Sequence, residues 1–199
     1  PLLSQPSVPA SSCLMLATPE EARGFPRGAI ELVACAACGL VTNRAFDAAL
    51  TEYSDRYEPT QAWSPTFRRF HRDLAQRVVT AAELPHGATI LEAGCGQGEF
   101  LHLLCRLAQG RGIGLDPSLS ATRGAVLEDA AADVELRGAY FDARSARDLS
   151  ADLLVCKMTL EHIPDAEGFA AAAATVARNS APGMRLFVQV PDAARILAE

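Results

Sequence analysis

The stretch Ile90-Leu-Glu-Ala-Gly-Cys-Gly-Gln-Gly-Glu-Phe100 decides the fold class of this 199-residue chain. A short apolar run leads into three glycines at alternate positions, and a second apolar run over residues 112–115 ends in Asp116. Glycines in such a turn let the backbone approach a ligand without obstruction by Cβ atoms. A carboxylate at the tip of the next strand is placed to accept hydrogen bonds from ribose hydroxyls. The pair predicts a nucleoside-containing cofactor at the carboxyl ends of parallel strands.

The spacing of these glycines separates two kinds of cofactor. The dinucleotide fingerprint G-x-G-x-x-G would need glycine or alanine at position 99, where this chain has Glu99. Glu92 followed by glycines at 94, 96 and 98 resembles instead the first motif of class I S-adenosylmethionine (SAM) methyltransferases. A carboxylate there would repel a pyrophosphate but suits the cationic amino group of a methionine tail. The alternatives are a nicotinamide oxidoreductase and a glycine-rich turn of some other α/β protein.

A third segment follows a further apolar strand and reads Leu160-Glu-His-Ile163. Many small-molecule methyltransferases carry a similar segment after their fourth strand. Residues that follow the carboxyl end of a strand face the ligand crevice in open α/β sheets. His162 is therefore a candidate acid–base group, with simple packing against the next helix as an equally weighted alternative. Glu161 is a candidate for the same chemistry, or a helix-start carboxylate that complements the helix dipole.

Composition limits the partners of the chain. Its formal net charge is −6 and Lys157 is its only lysine, so no basic cluster is available to neutralise nucleic-acid phosphates. No apolar run reaches the roughly 18–20 residues of a transmembrane helix, and no signal peptide is visible. Six cysteines without a regular framework fit reduced thiols. These features predict a cytoplasmic protein with a small-molecule partner, without nucleic acid or membrane, and leave its oligomeric state open.

Strand and helix patterns alternate from residue 63 onward. Such alternation predicts an α/β fold with a Rossmann-like, doubly wound, mainly parallel sheet. Strands are expected at 89–93, 112–115, 134–136, 151–156 and 185–190. Helices are expected from the N-cap Ser64 and first-turn Pro65, and at 99–107, 119–131 and 165–178. We expect two domains, a partial N-terminal segment over 1–62 and a SAM-binding domain over 63–199 that lacks its C-terminal strands.

The first 62 residues contain a pattern typical of a metal site. A strand is expected over 29–34, with residues 40–43 returning antiparallel to it. The turn between them, Cys35-Ala-Ala-Cys-Gly39, resembles a zinc knuckle, in which the glycine permits the tight turn around the metal. Structural zinc takes four ligands, so Cys13 is a candidate third ligand and a missing pair would lie before Pro1. The alternative is two unpaired cysteines in a turn.

Aromatic residues gather between these two parts of the chain. Residues 46–64 include Tyr53, Tyr57 and Trp63 among polar neighbours. This segment is predicted to form a lid over the cofactor or the substrate. The alternative is an ordinary docking surface for the helix that follows.

Several further motifs resemble one group of methyltransferases. That group has an N-terminal zinc-binding domain and includes the sugar C-methyltransferases that act on nucleotide-linked 4-keto-6-deoxysugars. The resemblance covers most of the chain. Besides the SAM motifs, it rests on Cys35-x2-Cys-Gly39, Asn43-x2-Phe-Asp47, Tyr57-Glu58, Thr60-Gln61, Ser64-Pro-x-Phe67 and Val190-Pro-Asp192.

The resemblance implies roles for particular residues. His162, Glu161 and Tyr57 would be catalytic, and Cys35 and Cys38 would bind zinc. The implied reaction removes a proton from the carbon beside a ketone, and the resulting enolate attacks the sulfonium methyl group. A base with a near-neutral pKa suits the first step. The residues expected to bind SAM are Glu92, Gly94, Cys95, Gly96, Gly98, Asp116, Pro117 and Lys157.

The chain also departs from the group's pattern. The upstream cysteine pair and a C-terminal Tyr-Glu-His segment associated with catalysis are absent, and Lys157-Met158 stands where Arg-His is expected. We therefore expect the chain to be a fragment of a longer protein. A non-catalytic SAM-fold binding module is the main alternative function, and a small-molecule O-methyltransferase is another.

Overall fold

The structure is a computed structural model that describes residues 1–10, 14, 16–50, 60–119, 133–192 and 194–195. The chain divides into two compact units, Pro1–Glu58 and Pro59–Glu199. The boundary predicted from the sequence lies a few residues later, after residue 62. The predicted helix over 119–131 lies almost entirely outside the described residues.

The first unit contains a three-stranded antiparallel sheet. Strand β2 (Arg27–Ala34) lies in the centre, between β1 (Leu3–Pro9) and β3 (Val41–Asn43). A short helix, α1 (Pro19–Arg23), precedes β2, and a 3₁₀ turn (Ala48–Leu50) follows β3. The strand and its antiparallel return around the cysteine pair are thus confirmed. Strand β1 was not predicted, because its prolines suggested broken, extended pieces.

An edge position explains how β1 tolerates its prolines. Proline lacks the N–H that a central strand needs, so it is confined to edges and irregular positions. Strand β1 pairs with β2 alone, and its register shifts between Gln5 and Val8. The shift lies around Pro6, where regular pairing would need a backbone donor.

The second unit is built on a five-stranded parallel sheet in the order β6-β5-β4-β7-β8. Between its strands lie helices α3 and α4, and α2 precedes the first strand. The predicted α/β, Rossmann-like fold class is confirmed. The elements are α2 (Pro65–Ala81), β4 (Thr89–Ala93), α3 (Glu99–Ala108), β5 (Arg111–Leu115), β6 (Val134–Arg137), β7 (Leu153–Lys157), α4 (Ala166–Asn179) and β8 (Arg185–Gln189).

Hydrophobic residues bury both faces of the sheet. Ile90 packs with the buried residues of α2 and α3, whereas Leu91, its neighbour in β4, packs with those of α4. Successive side chains of a strand point to opposite faces, so one apolar strand serves two cores. Helix α2 begins as predicted, with Ser64 Oγ accepting a hydrogen bond from the Phe67 amide at 3.3 Å and Pro65 in the first turn. No helix of the described residues is long and apolar enough to cross a membrane.

Candidate functional site

The glycine turn joins β4 to α3 at the carboxyl edge of the sheet. Gly94, Gly96 and Gly98 have φ values of 74°, 55° and 83°, which are left-handed conformations that side chains disfavour. At Gly94 space is short as well, because an added Cβ would lie 2.2 Å from Thr159 Oγ1. The Gly94 amide donates a 2.8 Å hydrogen bond to the Leu115 carbonyl. The turn is therefore packed between the ends of β5 and β7, and its backbone is the part that a ligand could approach.

Asp116 lies at the tip of β5 and is bonded to the glycine turn. Its Oδ2 accepts a hydrogen bond from the Gly96 amide at 2.8 Å. Its Oδ1 accepts from the amide and the hydroxyl of Ser118, at 2.8 and 2.6 Å. These bonds fix the orientation of the carboxylate beside the turn.

Glu92 is a buried carboxyl group next to the same turn. Its residue is only 1% exposed, and its Oε2 has no hydrogen-bond partner among the described residues. Burial raises the pKa of Glu92 from 4.5 to about 7, with Lys157 opposing the rise and Asp116 adding to it. Burial in a low-dielectric site disfavours the charged form of a carboxyl group, which explains the direction. Glu92 thus changes its charge near neutral pH and retains capacity to bind a donor.

Lys157 ends β7 and lies on the same face of the sheet as Glu92, whose strand partner Val155 is two residues before it. Burial lowers the pKa of its ammonium, while Glu92, Glu99 and Glu161 oppose that shift. Its Nζ lies 5.4 Å from the centroid of the Phe100 ring, a cation–π contact. Among the described residues, no oxygen forms a hydrogen bond or an ion pair with Nζ. The ammonium therefore retains its hydrogen-bonding capacity.

Cys95 and Pro117 complete the set that the sequence proposed for the cofactor. The Cys95 side chain is buried, and its Sγ lies 2.6 Å from where a Cβ on Gly114 would stand. The thiol thus packs beneath the turn against β5, and its burial raises its pKa above the ordinary value. Pro117 is exposed and follows Asp116 in a turn. Cys95 therefore contributes a packed side chain beneath the turn, and Pro117 contributes an exposed one after it.

Glu161 and His162 lie in a single 3₁₀ turn, Leu160–His162, which follows β7. The His162 amide donates to the Thr159 carbonyl at 2.9 Å, and the His162 side chain is 47% exposed. Its Nε2 lies 4.0 Å from Glu161 Oε1, too far for a hydrogen bond. Glu161 is the acidic residue in the first turn of this short 3₁₀ helix, as its helix-start alternative requires, whereas α4 is capped by Asp165, which accepts from the Gly168 amide at 2.8 Å.

The predicted lid is described only at its ends. Tyr57 and Tyr53 lie outside the described residues, and Trp63 is 74% exposed. Sequence reasoning did not anticipate the contact of Thr60, whose hydroxyl lies 2.6 and 2.7 Å from the two Glu99 carboxylate oxygens. This contact joins the stretch before α2 to the first residue of α3.

His71 is another residue of this region that sequence reasoning did not assign to the site. It is 6% exposed, its ring lies 4.1 Å from Phe67 and 5.3 Å from Phe100, and its Nε2 lacks a hydrogen-bond partner among the described residues. Burial, and secondarily Lys157, lowers the pKa of His71 to about 4, so the imidazole is neutral at pH 7. The sequence did indicate that His71 faces inward, because it precedes Leu74 and Val78 at the spacing that places residues on one face of a helix.

The cysteine pair of the first unit forms a tight turn. The Gly39 amide donates to the Cys35 carbonyl at 2.9 Å, and the Cys35 amide donates to the Leu40 carbonyl at 2.8 Å. Hydrogen bonds from the Cys38 and Ala37 amides lower the pKa of the exposed Cys35 thiol. Among the described residues, no three potential ligands come together to hold a metal ion, and Cys13 lies outside them. The part of the chain that the structure describes therefore contains only the cysteine pair of the predicted zinc knuckle and does not show a metal site.

Solved structures of similar fold come from several bacteria. A cyclopropane-fatty-acyl-phospholipid synthase-like protein from Lactobacillus casei is 23% identical, with a TM-score of 0.46 over 61% of this chain and 50% of that chain. A SAM-dependent methyltransferase from Geobacter sulfurreducens in complex with S-adenosyl-L-homocysteine is 22% identical, with a TM-score of 0.43 over 63% and 53%. Magnesium protoporphyrin IX methyltransferase from Synechocystis PCC 6803 with bound SAM is 20% identical, with a TM-score of 0.43 over 65% and 66%.

These likenesses are too distant to carry an inference about activity. The chain spans half or less of the length of the first solved structures that it resembles, at 38%, 50% and 34%. No curated protein sequence matches it.

A family model gives a closer assignment. Residues 66–199 match the model described as a methyltransferase domain, and this range holds the whole parallel sheet, the glycine turn and Asp116. The match covers more than half of the chain. The chain therefore belongs to this family of methyltransferase domains.

Proposed function

We propose that this chain binds SAM and supports methyl transfer to a small molecule. The observation that carries the proposal is the buried Glu92 carboxyl group, whose Oε2 has no hydrogen-bond partner among the described residues, beside a left-handed glycine turn with Asp116 at the tip of the neighbouring strand. Membership of the methyltransferase family agrees with it. When bound, SAM supplies an electrophilic methyl group on a sulfonium ion.

The residues present fit this cofactor. A cationic amino group near Glu92 would satisfy Oε2 and favour the ionised carboxylate. A pyrophosphate in the same place would be repelled by the Glu92 carboxylate. The third glycine of the G-x-G-x-x-G motif is also missing, because its position is occupied by Glu99, the first residue of α3. The site therefore favours SAM over a dinucleotide.

Asp116 fits a ribose diol. A carboxylate oxygen has about two lone-pair sites, and Oδ2 uses one of them for the Gly96 amide. Oδ1 receives two bonds from Ser118, one from the amide and one from the hydroxyl. A ribose hydroxyl can bond to Oδ2 directly and can take the place of the Ser118 hydroxyl at Oδ1. The Gly96 amide bond would hold the carboxylate in place during this exchange.

We propose His162 as the base that holds the proton removed from the acceptor, with Glu161 beside it. Histidine is the most common general base in enzymes, and the pair follows the carboxyl end of β7, next to the glycine turn through Thr159. The acceptor class suggested by the sequence motifs is a nucleotide-linked keto-deoxysugar methylated on carbon. Tyr57 remains a predicted participant. The competing functions are an O-methyltransferase and a binding module without catalysis.

Calorimetric titration tests the cofactor assignment. We expect saturable binding of S-adenosylhomocysteine and SAM by the full-length protein, and none of NAD, because Glu92 opposes the pyrophosphate. Binding of NAD without S-adenosylhomocysteine would overturn the proposal. Asp116→Asn is expected to weaken the binding of S-adenosylhomocysteine, because it replaces a charged hydrogen-bond acceptor at the ribose position.

Substitution of His162 tests the catalytic role. We expect His162→Ala to lower kcat by roughly 10²–10⁴, the range for loss of a general base, while the affinity for S-adenosylhomocysteine stays unchanged. His86→Ala is the matched control, because His86 is an exposed histidine that bonds Gln109 at 3.2 Å, outside the site. Unchanged turnover of His162→Ala would make His162 a packing residue. Turnover absent from the full-length wild-type protein with every acceptor would favour the binding module.

We also propose that Cys35 and Cys38 supply two ligands of a zinc knuckle whose other ligands lie outside the described residues. The amide hydrogen bonds that lower the pKa of Cys35 favour the thiolate that zinc requires. The zinc content of the same purified protein tests this. Zinc retained by the wild type and lost in Cys35→Ser and Cys38→Ser supports the knuckle, and a metal-free wild type contradicts it.

A further inference from the structure

Four polar side chains meet at one corner of the parallel sheet, and we call them the polar recess: Glu92, Lys157, Gln189 and His71. Glu92 is in register with Val155 on β7, and Lys157 is in register with Gln189 on β8. Residues that pair across strands, or lie two apart on one strand, share a face. Glu92, Lys157 and Gln189 therefore project from the same face, near the carboxyl ends of three adjacent strands.

Helices α2 and α3 cover this face and bring His71 to it. Phe100 of α3 lies 6.5 Å from the ring of Phe187, which shares the face with Gln189 two residues later. The same Phe100 ring lies 5.3 Å from the His71 ring and 5.4 Å from Lys157 Nζ. Phe100 thus contacts both the cation and the imidazole, and holds them on the same side of the sheet.

The recess is rich in unused hydrogen-bonding capacity. Glu92 Oε2, His71 Nε2 and Gln189 Oε1 are buried and have no hydrogen-bond partner among the described residues. Glu92 and His71 are 1% and 6% exposed. Buried polar atoms are nearly always paired, so an unpaired group in a native structure calls for an explanation. Here three such atoms belong to the same group of side chains as the Lys157 ammonium, which also has no hydrogen-bonding partner in the described part of the chain.

The charges of the recess select a zwitterionic occupant. An ammonium group would pair with Glu92, and a carboxylate would pair with Lys157. A neutral imidazole in the tautomer with hydrogen on Nε2 adds a second donor for that carboxylate without adding charge. No purely anionic ligand suits the carboxylates of Glu92, Glu99 and Glu161 around Lys157, and no purely cationic ligand suits Lys157. An α-amino acid end group meets both requirements.

We propose that His71 and Lys157 form the subsite for the carboxylate at the amino-acid end of the methyl donor. The inference rests on the proposed function and extends it to a residue of α2, outside the sheet. His71 is a cofactor-binding residue in this scheme, and Phe100 is the positioning residue that holds its ring and the Lys157 ammonium. Gln189 lies next to Lys157 in register and remains available to the ammonium side or to the acceptor.

The test compares ligands that differ only in the carboxylate. S-adenosylhomocysteine and its decarboxylated analogue are titrated calorimetrically into the full-length wild-type protein, His71→Phe and Lys157→Met. Phenylalanine keeps a ring between Phe67 and Phe100, so packing is preserved. We expect each variant to lose about tenfold or more in affinity for S-adenosylhomocysteine, the effect of one hydrogen bond to a charged group. Binding of the decarboxylated analogue should stay within about twofold of the wild type.

Each outcome decides between the readings. Equal losses of affinity for both ligands in a variant would show general damage to the site. Unchanged affinity for S-adenosylhomocysteine would show that its carboxylate binds elsewhere. Either result overturns the proposed subsite. A wild type that binds neither ligand overturns the proposed function together with the inference. A wild type that binds S-adenosylhomocysteine, with variants that bind it equally well, overturns the inference alone. Intact binding of the decarboxylated analogue is also the check that each variant is folded.

Discussion

Gly94→Ala is expected to destabilise the second unit and to abolish measurable binding of S-adenosylhomocysteine. Two effects act at this position. The left-handed backbone at φ 74° costs a residue with Cβ about 1–2 kcal/mol. The added Cβ would also lie 2.2 Å from Thr159 Oγ1 and 2.7 Å from Thr159 Cβ, so the chain after β7 has to move. Overpacking of this kind costs about 1–3 kcal/mol more.

Loss of binding follows from what Thr159 connects. Its hydroxyl bonds to the Gly94 carbonyl at 3.3 Å and to the Lys157 carbonyl at 3.2 Å. A displaced Thr159 therefore disturbs both the glycine turn and the strand end that carries Lys157. Urea unfolding and calorimetry measure the two effects separately.

Two control substitutions separate strain from collision. Gly87 has φ 81° but nothing within 4 Å of an added Cβ, so Gly87→Ala should show the backbone cost alone and keep its cofactor affinity. Gly138 has open space and an ordinary φ, so Gly138→Ala should be nearly neutral.

Gly94→Asn should bind as poorly as Gly94→Ala, because asparagine tolerates the conformation but still carries the colliding Cβ. Normal binding by Gly94→Asn would contradict the collision with Thr159.

Glu92→Gln is expected to raise the stability of the protein above neutral pH and to lower its affinity for the cofactor. The pKa of Glu92 is about 7 in the folded chain and 4.5 ordinarily. Because the folded state holds the Glu92 proton more tightly than the unfolded state does, this group adds to the free energy of unfolding of the wild type. The added stability is fully present below pH 4.5 and is lost as pH rises through 7. Glutamine does not titrate. Relative to pH 4.5, the variant should therefore gain up to about 3 kcal/mol over the wild type by pH 8.

Cofactor affinity should change in the opposite direction. The ammonium of the ligand favours ionised Glu92, so binding of S-adenosylhomocysteine to the wild type should strengthen as pH rises from 6 to 8 and should release protons. In Glu92→Gln the affinity should be lower and this step in the pH dependence should vanish. Calorimetry in buffers of different ionisation enthalpy measures the proton release. Parallel pH profiles of the two proteins, in stability or in binding, would show that Glu92 is not the group that titrates.

Local signals made one half of the site predictable. The glycines, Glu92 and Asp116 lie within one strand–turn–helix–strand unit, where the spacing along the chain sets the spacing in space. The helix start at Ser64 was equally readable, because a cap and a first-turn proline are properties of adjacent residues. The predicted strands of the parallel sheet agree with the observed ones to within about two residues, an ordinary uncertainty for element ends.

The other half depends on contacts between distant parts of the chain. Lys157 and Gln189 meet through the register of β7 with β8, and His71 reaches them from a helix that precedes the whole sheet. No short pattern encodes such a register. Strand β1 was missed for a different reason, since its prolines argue against a strand wherever the edge position is unknown. Thr60 and Glu99 are likewise ordinary polar residues until the fold brings them together.

Helix α2 has a double role that affects how the domain tolerates change. Its buried side chains Leu74, Ala75 and Val78 hold the core, and His71 lies one turn before them on the same rigid rod. Because a helix moves as a unit, we expect a core substitution such as Val78→Ala to shift the His71 imidazole as well. Selection for packing and selection for ligand recognition would then act on one element. A shortened domain that starts at β4 would retain the sheet and the glycine turn but would lose His71 and the rest of α2 from the polar recess.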